Sequence, residues 1–157
     1  MHTNIKRRVF LKGSVAASAV GVALGAGLLS PRAVLSAWPE SAFHAKGLDE
    51  AVGALLGSSA TEATDQIEIK APDIAENGAV VPVTVTTTMA AESIAIIAEN
   101  NPSPLAAAFN LGPGALGDVS TRIKMGKTGD VVAVVKAGGK LYANRKGVKV
   151  TIGGCGG

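Results

Sequence analysis

Cysteine is almost missing from this 157-residue chain, where Cys155 is the only one. A lone thiol excludes an internal disulfide framework, and with two histidines in the whole sequence it also excludes a Cys/His metal cluster. His44 is the only histidine beyond the first few residues, so a Cys–His nucleophile pair has little to draw on. Aromatic residues make up 3% of the chain, and past the N-terminal segment they are Trp38, Phe43, Phe109 and Tyr142. That set offers no stacking platform for nucleic-acid bases. Acidic charge is missing from the N-terminal quarter, where nothing negative precedes Glu40.

What stands in that quarter is a basic stretch, Lys6-Arg7-Arg8-Val9-Phe10-Leu11-Lys12, followed by residues 13–30 without a charge. Basic residues before an apolar, small-residue segment mark an export signal that is removed from the mature protein. The adjacent Arg7 and Arg8, followed by Phe-Leu-Lys, resemble the twin-arginine signal, with Lys6 where Ser or Thr is usual. Residues 1–37 are therefore expected to be removed on export to the periplasm. Eighteen uncharged residues are also marginally long enough to span a bilayer, and Gly21 and Gly25 form a GxxxG pattern, so a membrane anchor is the alternative. Four glycines and abundant alanine make that a weak spanning segment.

Losing the leader reverses the charge balance. The full chain carries +3, but from Trp38 onward ten basic residues face twelve acidic ones, a net of −2. The mature protein has no charge case for binding nucleic acid.

About 120 residues remain, enough for one domain with its own core. Residues 38–64 read as a helix and linker. Within them, residues 49–56 (DEAVGALL) form a short amphipathic helix, with Leu48, Val52, Leu55 and Leu56 on one stripe and Asp49 and Glu50 near its N-terminus. Gly57-Ser58-Ser59 ends it, and a polar linker runs to Thr64. Across residues 65–152 the period switches to two. Ile67/Ile69, Val81/Val83/Val85, Ile94/Ile96 and Val148/Val150/Ile152 each alternate with polar or small residues, as half-buried strands do.

Turn chemistry separates these runs at Glu76-Asn77-Gly78, at residues 100–104 (NNPSP) and at Gly112-Pro113-Gly114. Gly138-Gly139 is a two-residue hairpin signal. Pro82 removes a ladder donor, which predicts an edge strand or a bulge. Seven or so short strands after one helix predict an immunoglobulin-like antiparallel β-sandwich, without the cysteine pair and core tryptophan of antibody domains.

Residues 153–157 are Gly153-Gly154-Cys155-Gly156-Gly157. Glycine adds no bulk beyond the backbone and leaves it the most conformational freedom, so the four glycines make a slim, flexible arm. If the last strand is tied down through Ile152, Cys155 reaches about 10 Å from the domain. A thiol so mounted has no core to enter and no nearby basic residue, so accessibility controls its reactivity and partner proteins supply the activating charges. It reads as a covalent handle for a substrate, with the catalysis performed elsewhere; no catalytic residue, metal ligand or resident cofactor is expected. Two alternatives stay open. An exported structural β-module could dimerise through an intermolecular disulfide at Cys155. A ubiquitin-like carrier could use the Gly156-Gly157 carboxylate, although such carriers work in the cytoplasm.

The segments APDIAENGAVVPV (residues 71–83), NPSPLAAAF (101–109), VSTRIKM (119–125) and the terminal VKVTIGGCGG resemble the SoxY family, the sulfur-carrier subunits of bacterial thiosulfate oxidation. With the twin-arginine leader, the resemblance covers nearly the whole chain. The family's carrier cysteine falls on Cys155, with Gly153, Gly154, Gly156 and Gly157 in place. The resemblance implies a heterodimer with SoxZ, which would travel out in the folded complex. It also implies a haem enzyme, SoxAX, that joins thiosulfate to the cysteine as an S-thiosulfonate, and SoxB, which hydrolyses the terminal sulfone to sulfate. In organisms that have it, the SoxCD sulfane dehydrogenase then oxidises the remaining persulfide sulfur. The chain itself would not be an enzyme and would carry no cofactor beyond its sulfur adduct.

Overall fold

The computed structural model describes residues 39–151. Arg7, Arg8, Ile152 and the whole of residues 153–157, Cys155 among them, lie outside the described residues. Two helices lead the fold, α1 (Glu40–His44) and α2 (Leu48–Leu56). α2 begins one residue before the expected start and ends at Gly57, whose φ of 83° and amide bond to the Gly53 carbonyl (2.9 Å) form a left-handed cap. α1 carries no sequence signal, because five residues are too few to show a helical period.

Nine strands follow: β1 (Glu62–Ala63), β2 (Ile67–Lys70), β3 (Ile74–Ala75), β4 (Val81–Thr87), β5 (Ala91–Ala98), β6 (Leu105–Asn110), β7 (Asp118–Ile123), β8 (Gly129–Ala137) and β9 (Lys140–Val150). They make a larger sheet in the order β1-β9-β8-β5-β6, with β3 also on β9, and a smaller sheet β2-β4-β7. The chain is mainly β with two sheets and a helix before them, as expected. At the β8–β9 hairpin, Gly138 and Gly139 have φ of 56° and 76°, the pair of positive values that a type I′ turn demands.

Three expectations need correction. The sandwich is not wholly antiparallel, because β1 and β3 both run parallel to β9 along the edge that β8 leaves open. β1 lies in the stretch read as linker, where Lys140 Nζ meets Glu62 Oε1 at 3.1 Å. That hydrogen bond, with the carboxylate's charge, holds the exposed Lys140 ammonium above the ordinary lysine pKa. Pro82 lies in the central strand of the smaller sheet and not on an edge. The Thr87 amide bonds to Gly117 on the β7 side (2.7 Å), so strand alternation turns position 82 towards β2. β2 stops at Lys70, opposite Thr84, so no acceptor awaits the missing donor.

The third correction concerns the larger sheet, which is buried on both faces. Ile94, Ile96, Val131, Ala133 and Val135 point at the smaller sheet, packing with Ile67, Val81, Val83, Val85 and Ile123. Ala95, Ile97, Val132 and Val134 point the other way, under Ala42, Ala45, Ala51 and Val52 of the helical segment. The layers are therefore helices, sheet, sheet, and β5 is a continuous buried run from Ser93 to Ala98 rather than an alternating one. Ile97→Ala is expected to cost about 2–5 kcal/mol, as for a full core position. A solvent-facing strand position would change stability by only about 0.5 kcal/mol. Urea unfolding of the two proteins distinguishes these cases.

Candidate functional site: the root of the C-terminal tail

β9 delivers the chain to the tail, and its last residues are gripped from both edges. On one side β3 pairs with it in parallel, the Lys149 amide donating to the Asp73 carbonyl (2.9 Å) and the Thr151 amide to the Ala75 carbonyl (3.0 Å). On the other, the Thr128 hydroxyl accepts from the Val150 amide (2.9 Å) and donates to the Val150 carbonyl (3.3 Å). One side chain thus serves both backbone groups of a single residue. Val148 is buried in the core, and Val150 packs half-buried against it.

Thr128 is itself held, because Asn100 Nδ2 donates to its carbonyl (2.9 Å). Asn101 braces the same loop, donating to the Lys124 carbonyl (2.6 Å) and accepting from the Gly126 amide (2.9 Å). The Met125 amide donates to the Gly78 carbonyl (2.7 Å). Gly78 sits so close that an added Cβ would strike the Met125 carbonyl oxygen and lie 2.8 Å from Val150 Cγ1. Three turns far apart in sequence therefore meet at Val150. They lie in or beside three segments singled out above: Gly78 within residues 71–83, Asn101 opening 101–109 with Asn100 just before it, and Gly126 and Thr128 just past 119–125. Sequence reading assigned Asn101 and Gly78 to turns and gave Thr128 no role; their bonds to residues 22 to 47 positions away leave no local pattern.

An open groove of about 560 Å³ lies beside this root, lined by Asn101, Pro102, Ser103, Arg122, Lys124 and neighbouring residues. Of the acids near the root, Asp73 is paired with Lys146 (3.2 Å) and Asp130 with Arg145 (3.5 Å). Among the described residues no group of three or more His, Cys, Asp or Glu could hold a metal ion, and no helix is long and apolar enough to cross a membrane. His44 is exposed beside Glu40 (3.7 Å) on α1. What this end of the molecule supplies is a fixed anchor at Thr151, and the four residues from there to Cys155 can span at most about 14 Å, at roughly 3.3–3.6 Å each. Removing the anchor's hydroxyl with Thr128→Val should cost about 1–3 kcal/mol. Hydrogen exchange at the Val150 amide should quicken, while amides in the centre of β5 and β8 keep their protection.

Comparison with known proteins agrees with this layout. Residues 52–155 match the family model of the sulfur oxidation protein SoxY, and the matched segment ends on the cysteine. The solved structure of the sulfur carrier protein SoxY from Chlorobium limicola f thiosulfatophilum is similar, at 49% identity and a TM-score of 0.61, covering 67% of this chain and 96% of that one. A superoxide reductase (neelaredoxin) from Ignicoccus hospitalis shares 24% identity at a TM-score of 0.49, covering 56% of this chain and 82% of its own. No curated protein matches in sequence. With two-thirds of its length matched from the second helix to the cysteine, the chain belongs to the SoxY family of sulfur oxidation proteins.

Proposed function

We propose that this protein is a periplasmic sulfur carrier that holds thiosulfate-derived sulfur on Cys155 and presents it to separate enzymes. Loading joins the Cys155 thiolate to thiosulfate through a new S–S bond, with two electrons passing to the haem enzyme SoxAX. Water then attacks the terminal sulfone at SoxB, releasing sulfate and a proton and leaving a cysteine persulfide. Where SoxCD is present, the persulfide sulfur is oxidised in turn. SoxZ is the stable partner, and the folded pair leaves the cytoplasm by the twin-arginine route marked by Arg7 and Arg8. The chain contributes no acid, base or metal to these steps. It contributes reach, slimness and a fixed point of departure.

The observation that carries this reading is the family match extending to Cys155, which lies four residues beyond a strand end fastened at Val150 and Thr151. Gly153, Gly154, Gly156 and Gly157 leave the thiol without a bulky neighbour, so several differently shaped sites can admit it. Covalent attachment keeps reactive sulfur from escaping between them. Ordering the arm at each visit costs about 1–2 kcal/mol per residue fixed, which shortens each complex and lets the arm leave.

Incubation with thiosulfate and the partner enzymes should add the mass of a sulfur adduct to Cys155. Cys155→Ser should fold normally and abolish both the adduct and thiosulfate-dependent turnover. A protein that forms only a disulfide-linked dimer would instead be a structural module, and full activity of the serine variant would move the carrier role to the terminal carboxylate. Gly154→Val should leave the melting temperature unchanged while slowing turnover by every partner. Unchanged rates would remove the need for a slender arm.

A further inference from the structure

The described residues contain ten lysines and arginines. Five of them, Lys70, Lys136, Lys140, Arg145 and Lys146, are in ion pairs with neighbouring carboxylates. Of the five without an ion pair among the described residues, only Lys46 lies in the helical layer; Arg122, Lys124, Lys127 and Lys149 are all at the end where the tail departs. Arg122 and Lys124 line the groove beside Asn101. Lys127 stands between Gly126, bonded to Asn101, and Thr128, bonded to Val150. Lys149 is the register partner of Ile74. Asp73, Glu99 and Asp130 at this end are already engaged by Lys146 and Arg145, which leaves Glu76 as the opposing charge in the adjoining turn.

Two of the three large exposed apolar side chains among the described residues are at the same end. Ile74 is 57% exposed and Val80 51%. Neither is loosely placed: Ile74 lies on the strand that grips β9, and the Val80 amide bonds back to the Asn77 carbonyl (3.3 Å).

We propose that this end is a docking face that seats the acidic rim of an enzyme's active-site entrance around the tail. The inference rests on the carrier reading, because any site that admits Cys155 must close against the surface from which so short a tail emerges. Exposed cations contribute little to the stability of their own fold. Set on one end of a chain whose residues from Trp38 onward carry a net −2, they orient the molecule during approach and raise the association rate with a negative surface. Ile74 and Val80 then supply apolar contact on closure, while the Thr128 and β3 fastenings keep the face rigid under the departing chain. Such a partner has Asp and Glu around the mouth of its pocket and a small apolar contact beside it.

The test uses Arg122→Glu/Lys124→Glu and Lys127→Glu/Lys149→Glu, with Lys46→Glu as the remote reversal. Each protein is loaded at Cys155 with tetrathionate, whose inner sulfur is attacked by the thiolate with thiosulfate leaving. Sulfate release by SoxB is then followed at low and high ionic strength. Both double variants should lose about tenfold or more in kcat/KM at low salt and show a flattened salt dependence. Melting temperature, tetrathionate loading and Lys46→Glu should match the wild type. Docking is overturned if kcat/KM and its salt dependence are unchanged, or if Lys46→Glu has the same effect. It is also overturned if loading by the small dianion slows as much as turnover, since the cations would then act on the cargo alone. Should a double variant fold poorly, Lys127→Glu and Lys149→Glu are read singly by the same criteria. Double variants that load and release sulfate as the wild type does defeat docking alone; wild-type protein whose loaded form yields no sulfate defeats the carrier reading as well.

Discussion

A strand that leads into the tail proposed to carry sulfur must be fastened where the tail begins, and here the fastening is the set of hydrogen bonds on β9 at Lys149, Val150 and Thr151. Chain ends fray because their last backbone groups have partners on one side at most. β9 avoids this by having β3 along one edge and the Thr128 hydroxyl on the other. Without both, the last turns of the sheet would join the tail as loose chain. On the carrier reading, that added length would raise the entropy lost each time Cys155 is captured, so a firmly held strand end keeps the tether short.

The rest of the fold makes that boundary possible. β9 is stiff because β8 pairs with it from Lys140 to Val148, and β8 is stiff because it is buried on both faces between the helices and the smaller sheet. The turns that brace Thr128 are held in place by the sheet ends they connect, β5 to β6 and β7 to β8. Close packing of this kind transmits load rather than absorbing it. The helical layer thus supports β9 through the larger sheet on which it packs.

The division between carrier and enzyme proposed above suits the same layout. Among the described residues no group of three or more His, Cys, Asp or Glu could hold a metal ion. On the carrier reading, what this chain controls is how it presents the thiol: the point of departure, the tether length and the charge of the surrounding face.

Much of this was legible in the sequence. Period-two runs at Ile67/Ile69 and Val81/Val83/Val85, the Gly138-Gly139 turn and the isolated Cys155 between glycines are local signals, written in residues a few positions apart. The two-sheet fold follows from them directly. The tertiary structure decided what local signals do not encode: that Pro82 sits harmlessly in a central strand because β2 ends early, and that helices cover the second face of β5 and β8. It also decided that Asp73, Asn100, Asn101 and Thr128 converge on Val150. The physical reason is that hydrophobic period and turn preference act between near neighbours, whereas the pairing of a strand edge or the acceptor of a side-chain hydrogen bond is chosen by segments that meet only once the chain has folded.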